Sequence, residues 1–331
     1  MKQGNSFLSY VHNFRGIAIL YIVAGHAISA FDWQNSPFLE RLTKMLLSNG
    51  TVFFVFIAGY LFQHLAHKYS AKKYFLTKLS SVLLPYFLIS IPAIVLFVFF
   101  QTRESVWPGF YDNPQWLQVF YFYITGLHLA PLWFIPMITL FYIISPLLIV
   151  LDKHKWAYGA LPFLIILSCY VPRGDVLQNF VHFLSVYIFG MYLSHNRVAI
   201  NALLTKHFVL GFLVAIYFSL IYVEYLFPDI LYLNYVRKMF LCCIFIGFLI
   251  KFNIDFKILT LLAEYSFGIF FIHSYIISVF KILEEKMLGH LLPGNLQAYF
   301  VFISIVALLC VLSIWIIKKI LNNKSKYLIG C

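Results

Sequence analysis

Apolar residues run along this chain in stretches of about twenty, separated by short polar or basic segments, as expected of helices that cross a bilayer repeatedly. Ten stretches stand out, at about 14–31, 46–65, 79–100, 132–151, 156–172, 177–194, 207–227, 232–250, 258–280 and 296–317. The first reads FRGIAILYIVAGHAISA and carries two groups that membrane spans normally avoid, Arg15 and His26. Eleven residues at about 100° each bring both onto one helix face, about 16 Å apart along the axis. A cation and an imidazole on one stripe predict a polar cavity beside that face, and hence a functional site. The same spacing also allows His26 to bond a neighbouring helix while Arg15 snorkels to the headgroups. In the ninth stretch, LLAEYSFGIFFIHSYIIS, Ser266 and His273 share a face seven residues apart. They predict either a bond between helices or a second wall for the same cavity.

Composition agrees with this pattern. Hydrophobic residues make up 62% of the 331, charged residues 11%, and the mean hydropathy is +0.87, which predicts an all-α, polytopic integral membrane protein. The net charge of +12 would suggest nucleic acid as the partner of a soluble protein, but here the basic residues fall mainly in loops, so topology accounts for them and no nucleic acid is expected. With the N-terminus inside, fifteen Lys and Arg, from Lys2 to Lys326, lie in cytoplasmic segments, against six outside: Arg41, Lys44, Arg103, Arg173, Lys281 and Lys286. This bias predicts that both termini are cytoplasmic. The first stretch also ends in small residues, Ala27, Ser29 and Ala30, like a cleavable signal; cleavage would leave nine spans and reverse the bias. The five cysteines show no metal-ligand spacing, so neither a disulfide framework nor a metal is expected. The chain reads as one domain over 1–331, with no appended soluble domain.

Two segments between spans carry candidate chemistry. Residues 101–131, placed outside, hold Trp107, Phe110, Tyr111, Trp116 and Phe120 to Tyr123, with an apolar stretch at 116–127 too short to cross. They predict an interfacial or re-entrant helix, and either an aromatic girdle or a wall for a sugar acceptor. The inner loop HLAHKYSAKKYFLTK holds Lys68, Lys72, Lys73 and Lys78, which serve orientation or bind phosphate at a pore mouth. Near the eighth span, Arg237 and Lys238 are expected to pair with Glu224 or Asp229.

Several motifs, in order, resemble those of the membrane acyltransferase-3 family. FRGIAILYIVAGH looks like its opening signature, an arginine, ten residues and a histidine. NGTVFFVFIAGYLF, KLSSVLLPY, LWFIPMITLFYIISPLL and YSFGIFFIH resemble later family motifs, so the likeness runs from Arg15 to His273. His12, Ala58 and Ser81 depart from the family pattern of an acid, a serine and a basic residue. The resemblance implies transfer of an acyl group, usually acetyl from cytoplasmic acetyl-CoA, to a surface or lipid-linked carbohydrate by a protein of the bacterial inner or plasma membrane. It makes His26 the catalytic histidine, Arg15 its partner near the donor, and Lys72, Lys73 and Lys78 the region that receives the CoA phosphates. Trp133, at the start of the fourth span, joins Ser266 and His273 as a candidate substrate or cavity-lining residue.

Transfer from a thioester to an alcohol needs a base for the hydroxyl proton and a donor for the developing oxyanion. His26 is expected to act as that base or as a nucleophile, with Ser266 or His273 as the oxyanion donor. The competing function is a transporter or flippase of a lipid-linked sugar, which the near-absence of mid-span carboxylates disfavours. A structural scaffold, the third class, predicts that these polar residues are dispensable.

Overall fold

The computed structural model describes residues 7–230, 232–254 and 256–331 and is almost wholly helical. Lys2, counted among the cytoplasmic charges, lies outside the described residues. In chain order the helices are α1 (Ser9–Ala27), α2 (Pro37–Leu47), α3 (Thr51–His64), α4 (Ala71–Lys78), α5 (Leu84–Phe99) and α6 (Gln115–Thr125). Then come α7 (Phe134–Ile143), α8 (Ser145–Asp152), α9 (Leu161–Tyr170), α10 (Val176–His195), α11 (Arg197–Leu204) and α12 (His207–Leu226). The last are α13 (Tyr232–Lys251), α14 (Lys257–Glu264), α15 (Ser266–Leu288), α16 (Leu296–Leu321) and α17 (Ser325–Ile329).

Among the described residues, eight helical segments are long and apolar enough to cross a membrane. A ninth is the pair α7–α8, which the sequence presents as one span but which bends by 55°. Pro146 sits at the start of α8 and has no N–H to carry the ladder across the joint. The expected span at 156–172 is shorter, a 3₁₀ turn (Lys155–Ala160) followed by α9. It nevertheless runs antiparallel along α10. Tyr158 meets His195 at one end, with ring centroids 5.4 Å apart, and at the other His182 Nδ1 donates to the Val171 carbonyl at 2.8 Å. The difference from ten expected spans is therefore one of helix length and continuity.

Two further spans are interrupted for legible reasons. α4 and α5 are joined by a π-helical turn, Leu79–Leu83, just before Pro85, whose ring cannot supply the next backbone donor. Between α2 and α3 the chain turns through Ser48, Asn49 and Gly50, with Asn49 in the left-handed region at φ 63°. Arg237 and Lys238 of α13, both fully buried, donate to the Met45 carbonyl at 2.5 Å and the Leu46 carbonyl at 2.6 Å. They satisfy the acceptors that a helix C-terminus leaves open and sit at the favourable end of its dipole. Arg237 also pairs with Glu224 at 2.8 Å, one of the two partners, Glu224 or Asp229, expected from sequence.

α1 is the axis of the bundle. It packs against α3, α13, α14, α15 and α16, and 61% of its spanning window is buried inside the protein, against 11% for α12. Gly16 lies so close to α14 that a Cβ there would stand 2.4 Å from the Leu259 carbonyl oxygen. At the α3–α10 crossing a Cβ on Gly59 would stand 2.0 Å from the Tyr187 carbonyl oxygen. Such small residues let membrane helices approach by backbone. The aromatic segment at 101–131 packs largely on itself, with Phe110 and Phe122 buried against Ile94 as a small separate core. α6, of eleven residues, is too short to cross, as expected.

Candidate functional site

Inner and outer below denote the ends of the bundle that the charge bias assigns to the cytoplasm and to the far side. The sequence puts Arg15 at the mouth of the first span and His26 at mid-depth. The structure moves both outward, because α1 begins at Ser9, five residues before the expected start. Arg15 lies in the second turn, and His26 in the last turn of the α-helix, with a 3₁₀ turn (Ile28–Ala30) after it. The open carbonyls of this terminus are taken up locally. Tyr299 Oη donates to Ala24 O at 2.7 Å, Ser29 Oγ to His26 O at 3.0 Å and Trp33 Nε1 to Ile28 O at 2.9 Å. A two-residue parallel pairing, Phe31 with Leu292 and Asp32 with Pro293, ties the end of α1 to the segment before α16. These bonds fix the backbone that carries His26.

At the inner end, Arg15 Nη2 donates to Ser266 Oγ at 2.7 Å, the first residue of α15 after the break at Tyr265. Arg15 thus engages the bundle interior instead of snorkelling. It lines a cavity of about 350 Å³ with His12, His64, Leu61 and Leu65. Arg197 Nη1 donates to His64 Nδ1 at 2.5 Å, which brings a second guanidinium to this wall. Lys78 turns inward, its ammonium over the rings of Tyr142 (5.0 Å) and Tyr74 (5.3 Å), close enough to Arg15 for their charges to interact. Lys72 and Lys73 do not join it. Both are exposed and line a separate groove with Ser70, Leu76, Thr77 and Ser80. The three lysines that the sequence groups together therefore divide into one half-buried and turned inward and two at the surface.

At the outer end, His26 faces His273 of α15, with ring centroids 5.3 Å apart and ring planes at 48°. His273 is fully buried; His26 keeps part of its surface accessible. The two stripes predicted from sequence do meet, but in separate pairs, Arg15 with Ser266 and His26 with His273. Ser266 is thereby remote from His26.

A third group at this end was counted from sequence only as a loop charge. Arg173, between α9 and α10, lies near enough to His26 for its charge to act on the ring. Its guanidinium stands 4.6 Å from the centroid of Trp133, which stacks on Phe183 at 6.1 Å. Arg173 Nη1 donates to Asn49 Oδ1 at 2.6 Å, and Asn49 Nδ2 to Asn234 Oδ1 at 2.9 Å. Asn234 Nδ2 in turn donates to Glu224 at 3.0 Å and opens onto an outer pocket of about 350 Å³ with Glu40, Arg41, Lys44 and Ser48. The loop is held by a capping box, in which Gln178 N donates to Asp175 Oδ1 at 2.9 Å and Asp175 N to Gln178 Oε1 at 3.0 Å. Burial pulls the Arg173 pKa below its ordinary value, yet a guanidinium stays charged, and no carboxylate pairs with it among the described residues. The capping pattern Asp-x-x-Gln and the turn formers Asn49-Gly50 are visible in sequence. Their convergence beside His26 is not.

No group of three or more His, Cys, Asp or Glu suited to a metal occurs among the described residues. The arrangement is that of a multi-pass membrane protein with an accessible imidazole between a cationic inner cavity and a polar outer network. A family model described as an acyltransferase domain, that of the acyltransferase-3 family, matches residues 8–318, and the chain belongs to that family. It is a membrane acyltransferase. No curated protein and no solved structure matches the chain significantly.

Proposed function

We propose that the protein moves an acyl group, acetyl in the first instance, from cytoplasmic acetyl-CoA to a hydroxyl of a surface or lipid-linked carbohydrate. The observation that carries this reading is the position of His26, partly accessible and set against His273, with the Arg15 cavity toward the inner end of α1 and Arg173 on its outer side. Acetyl-CoA is the anionic partner suited to the inner cavity. Arg15, with Lys78 behind it, offers charge to the phosphates, and the apolar wall of Leu8, Val11, Leu61 and Leu65 accommodates the pantetheine arm. Lys72 and Lys73 serve as outlying attraction, since exposed charges are screened within about 8–10 Å.

Reaction at His26 requires the thioester to travel about 16 Å along α1 from Arg15. That distance suits a donor whose phosphates stay at the mouth while a flexible arm carries the acyl group inward. His26 takes the proton of the acceptor hydroxyl as the oxygen attacks the carbonyl. Arg173, pre-set by Asn49 and Trp133, is better placed than Ser266 to meet the negative charge that develops. The proton then passes from His26 to the departing thiolate.

The test is acetyl transfer from radiolabelled acetyl-CoA by membranes containing the protein, with mass spectrometry of surface glycans from cells with and without it. Label in glycan, an added acyl mass in those cells and loss of both in His26→Ala at normal abundance are expected. Movement of a lipid-linked sugar without modification would replace the acyl-transfer reading with transport.

A further inference from the structure

We infer that His273 is the hydrogen-bond acceptor that sets the proton of His26, a positioning residue and not the oxyanion donor suggested by sequence. The inference rests on the reading of His26 as the base. His273 Nδ1 lies 2.8 Å from the carbonyl oxygen of Ile269, one turn earlier on α15. A carbonyl can only accept, so Nδ1 carries the hydrogen. A neutral imidazole has one N–H, which leaves Nε2 as a bare acceptor. That atom is buried and has no hydrogen-bond partner among the described residues. Orphaned buried acceptors are rare in folded proteins, and one beside a reaction centre calls for a partner.

His26 is the partner in reach. Two imidazoles that share an N–H···N bond of about 3 Å have centroids about 5 Å apart. The observed separation of His26 and His273 is 5.3 Å, with the planes tilted by 48°, so a turn of the His26 ring closes the bond. The freedom to turn lies with His26, whose ring makes no hydrogen bond among the described residues, whereas His273 is pinned by Ile269. The other ring beside His273 on its own helix is Phe270, which offers no donor. With its N–H given to His273, His26 keeps a lone pair on its opposite nitrogen, the form that a base requires.

The proton balance is closed. As the acceptor oxygen bonds to the acyl carbon and the C–S bond breaks, the hydroxyl proton moves to His26 and then to the CoA thiolate. His273 neither gains nor loses a proton; it holds the His26 N–H and so stabilises the transient imidazolium. A donor role for His273 toward the oxyanion would need a hydrogen on Nε2, which the Ile269 bond denies to the neutral ring.

The experiment compares two replacements of similar length, His273→Gln, which keeps an acceptor oxygen near the Nε2 position, and His273→Met, which removes it. In the full-length protein in membranes, with labelled acetyl-CoA, the Met variant should lose about 10- to 100-fold in kcat with the donor KM within about twofold, while the Gln variant retains most activity. Equal loss in both, or no loss in the Met variant, overturns the inference. A measurement on the unaltered protein stands beside these in case a variant fails to accumulate. Nitrogen NMR of ¹⁵N-histidine-labelled protein should show His273 protonated at Nδ1, with an Nε2 resonance that shifts in His26→Ala. An Nε2–H tautomer, or no shift, overturns it. Absence of acetyl transfer by the wild type would instead count against His26 as base, and the NMR result would still report on the pair.

Discussion

The two ends of α1 solve different problems with the same kind of helix. At the inner end a guanidinium bonds to a serine hydroxyl and faces a cavity walled by histidines and leucines. At the outer end an imidazole lies against a second imidazole, beside a guanidinium held by asparagine and tryptophan. The inner end is open and cationic, suited on the proposed function to a charged carrier. The outer end is braced on several sides, by Tyr299, Trp33, the Phe31–Leu292 pairing and the Arg173 loop, as positioned proton transfer demands. On the proposed function, binding and chemistry are separated along one helix.

Substitutions should split along that line. His26→Ala is expected to have the largest effect, a loss of at least about 10²–10⁴-fold in kcat with normal membrane abundance, measured as label transferred per unit protein. Retained turnover would dissolve the distinction between the ends. Arg173→Gln should lower kcat by about 10²-fold while leaving the acetyl-CoA KM unchanged, and Arg173→Lys should recover part of the loss. A rise in donor KM would place Arg173 with the binding end. Arg15→Gln should do the opposite, raising the acetyl-CoA KM by about tenfold with a smaller change in kcat. Among the lysines, Lys78→Ala should raise that KM more than Lys72→Ala and Lys73→Ala together, the exposed pair contributing about threefold or less at physiological salt.

The smallest expected effect concerns pH. His128, buried between α6 and α7 on the outer side, has its pKa pushed down to about 4 by desolvation. The unfolded chain then binds more protons than the folded one between about pH 6.5 and 4. Stability of detergent-solubilised protein should therefore be full above that window and fall as pH drops through it. His128→Phe should flatten the dependence, as read by thermal melting at pH 7 and pH 5. An unchanged slope would remove His128 as its source.

Much of this architecture is legible in residue order, and the reason is physical. In a bilayer every backbone group must be satisfied within the helix, so apolar length alone locates spans such as those of α12 and α16. The arginine and histidine of α1 announce themselves because lipid penalises them. Breaks are less legible. Pro85 and Pro146 mark theirs, but the turn at Asn49 depends on Arg237 and Lys238 arriving from nearly two hundred residues away to satisfy its carbonyls. The pairing of Arg15 with Ser266 and His26 with His273 required only that two stripes face each other. Which residue of one meets which of the other depends on how α1 and α15 cross, and sequence periodicity does not carry that. Arg173 reads in sequence only as an outer loop charge, because a loop arginine in a membrane protein has a ready topological explanation. The lysines of α4 are a related case: adjacency in sequence groups Lys73 with Lys78, while the helix carries one at the surface and turns the other, half-buried, inward.

The short strand pairing between Phe31 and Leu292 bears on when the protein becomes active. The hydrogen bond from Tyr299 and the parallel partner of Phe31 both come from the last eighth of the chain, yet they brace α1, near its start. A nascent chain halted before its final hydrophobic segment would carry His26 on a terminus without the Tyr299 bond. Competence should then appear late in biogenesis, as a property of the finished bundle, and the ribosome would release an acyltransferase that had been inert until its last span was threaded.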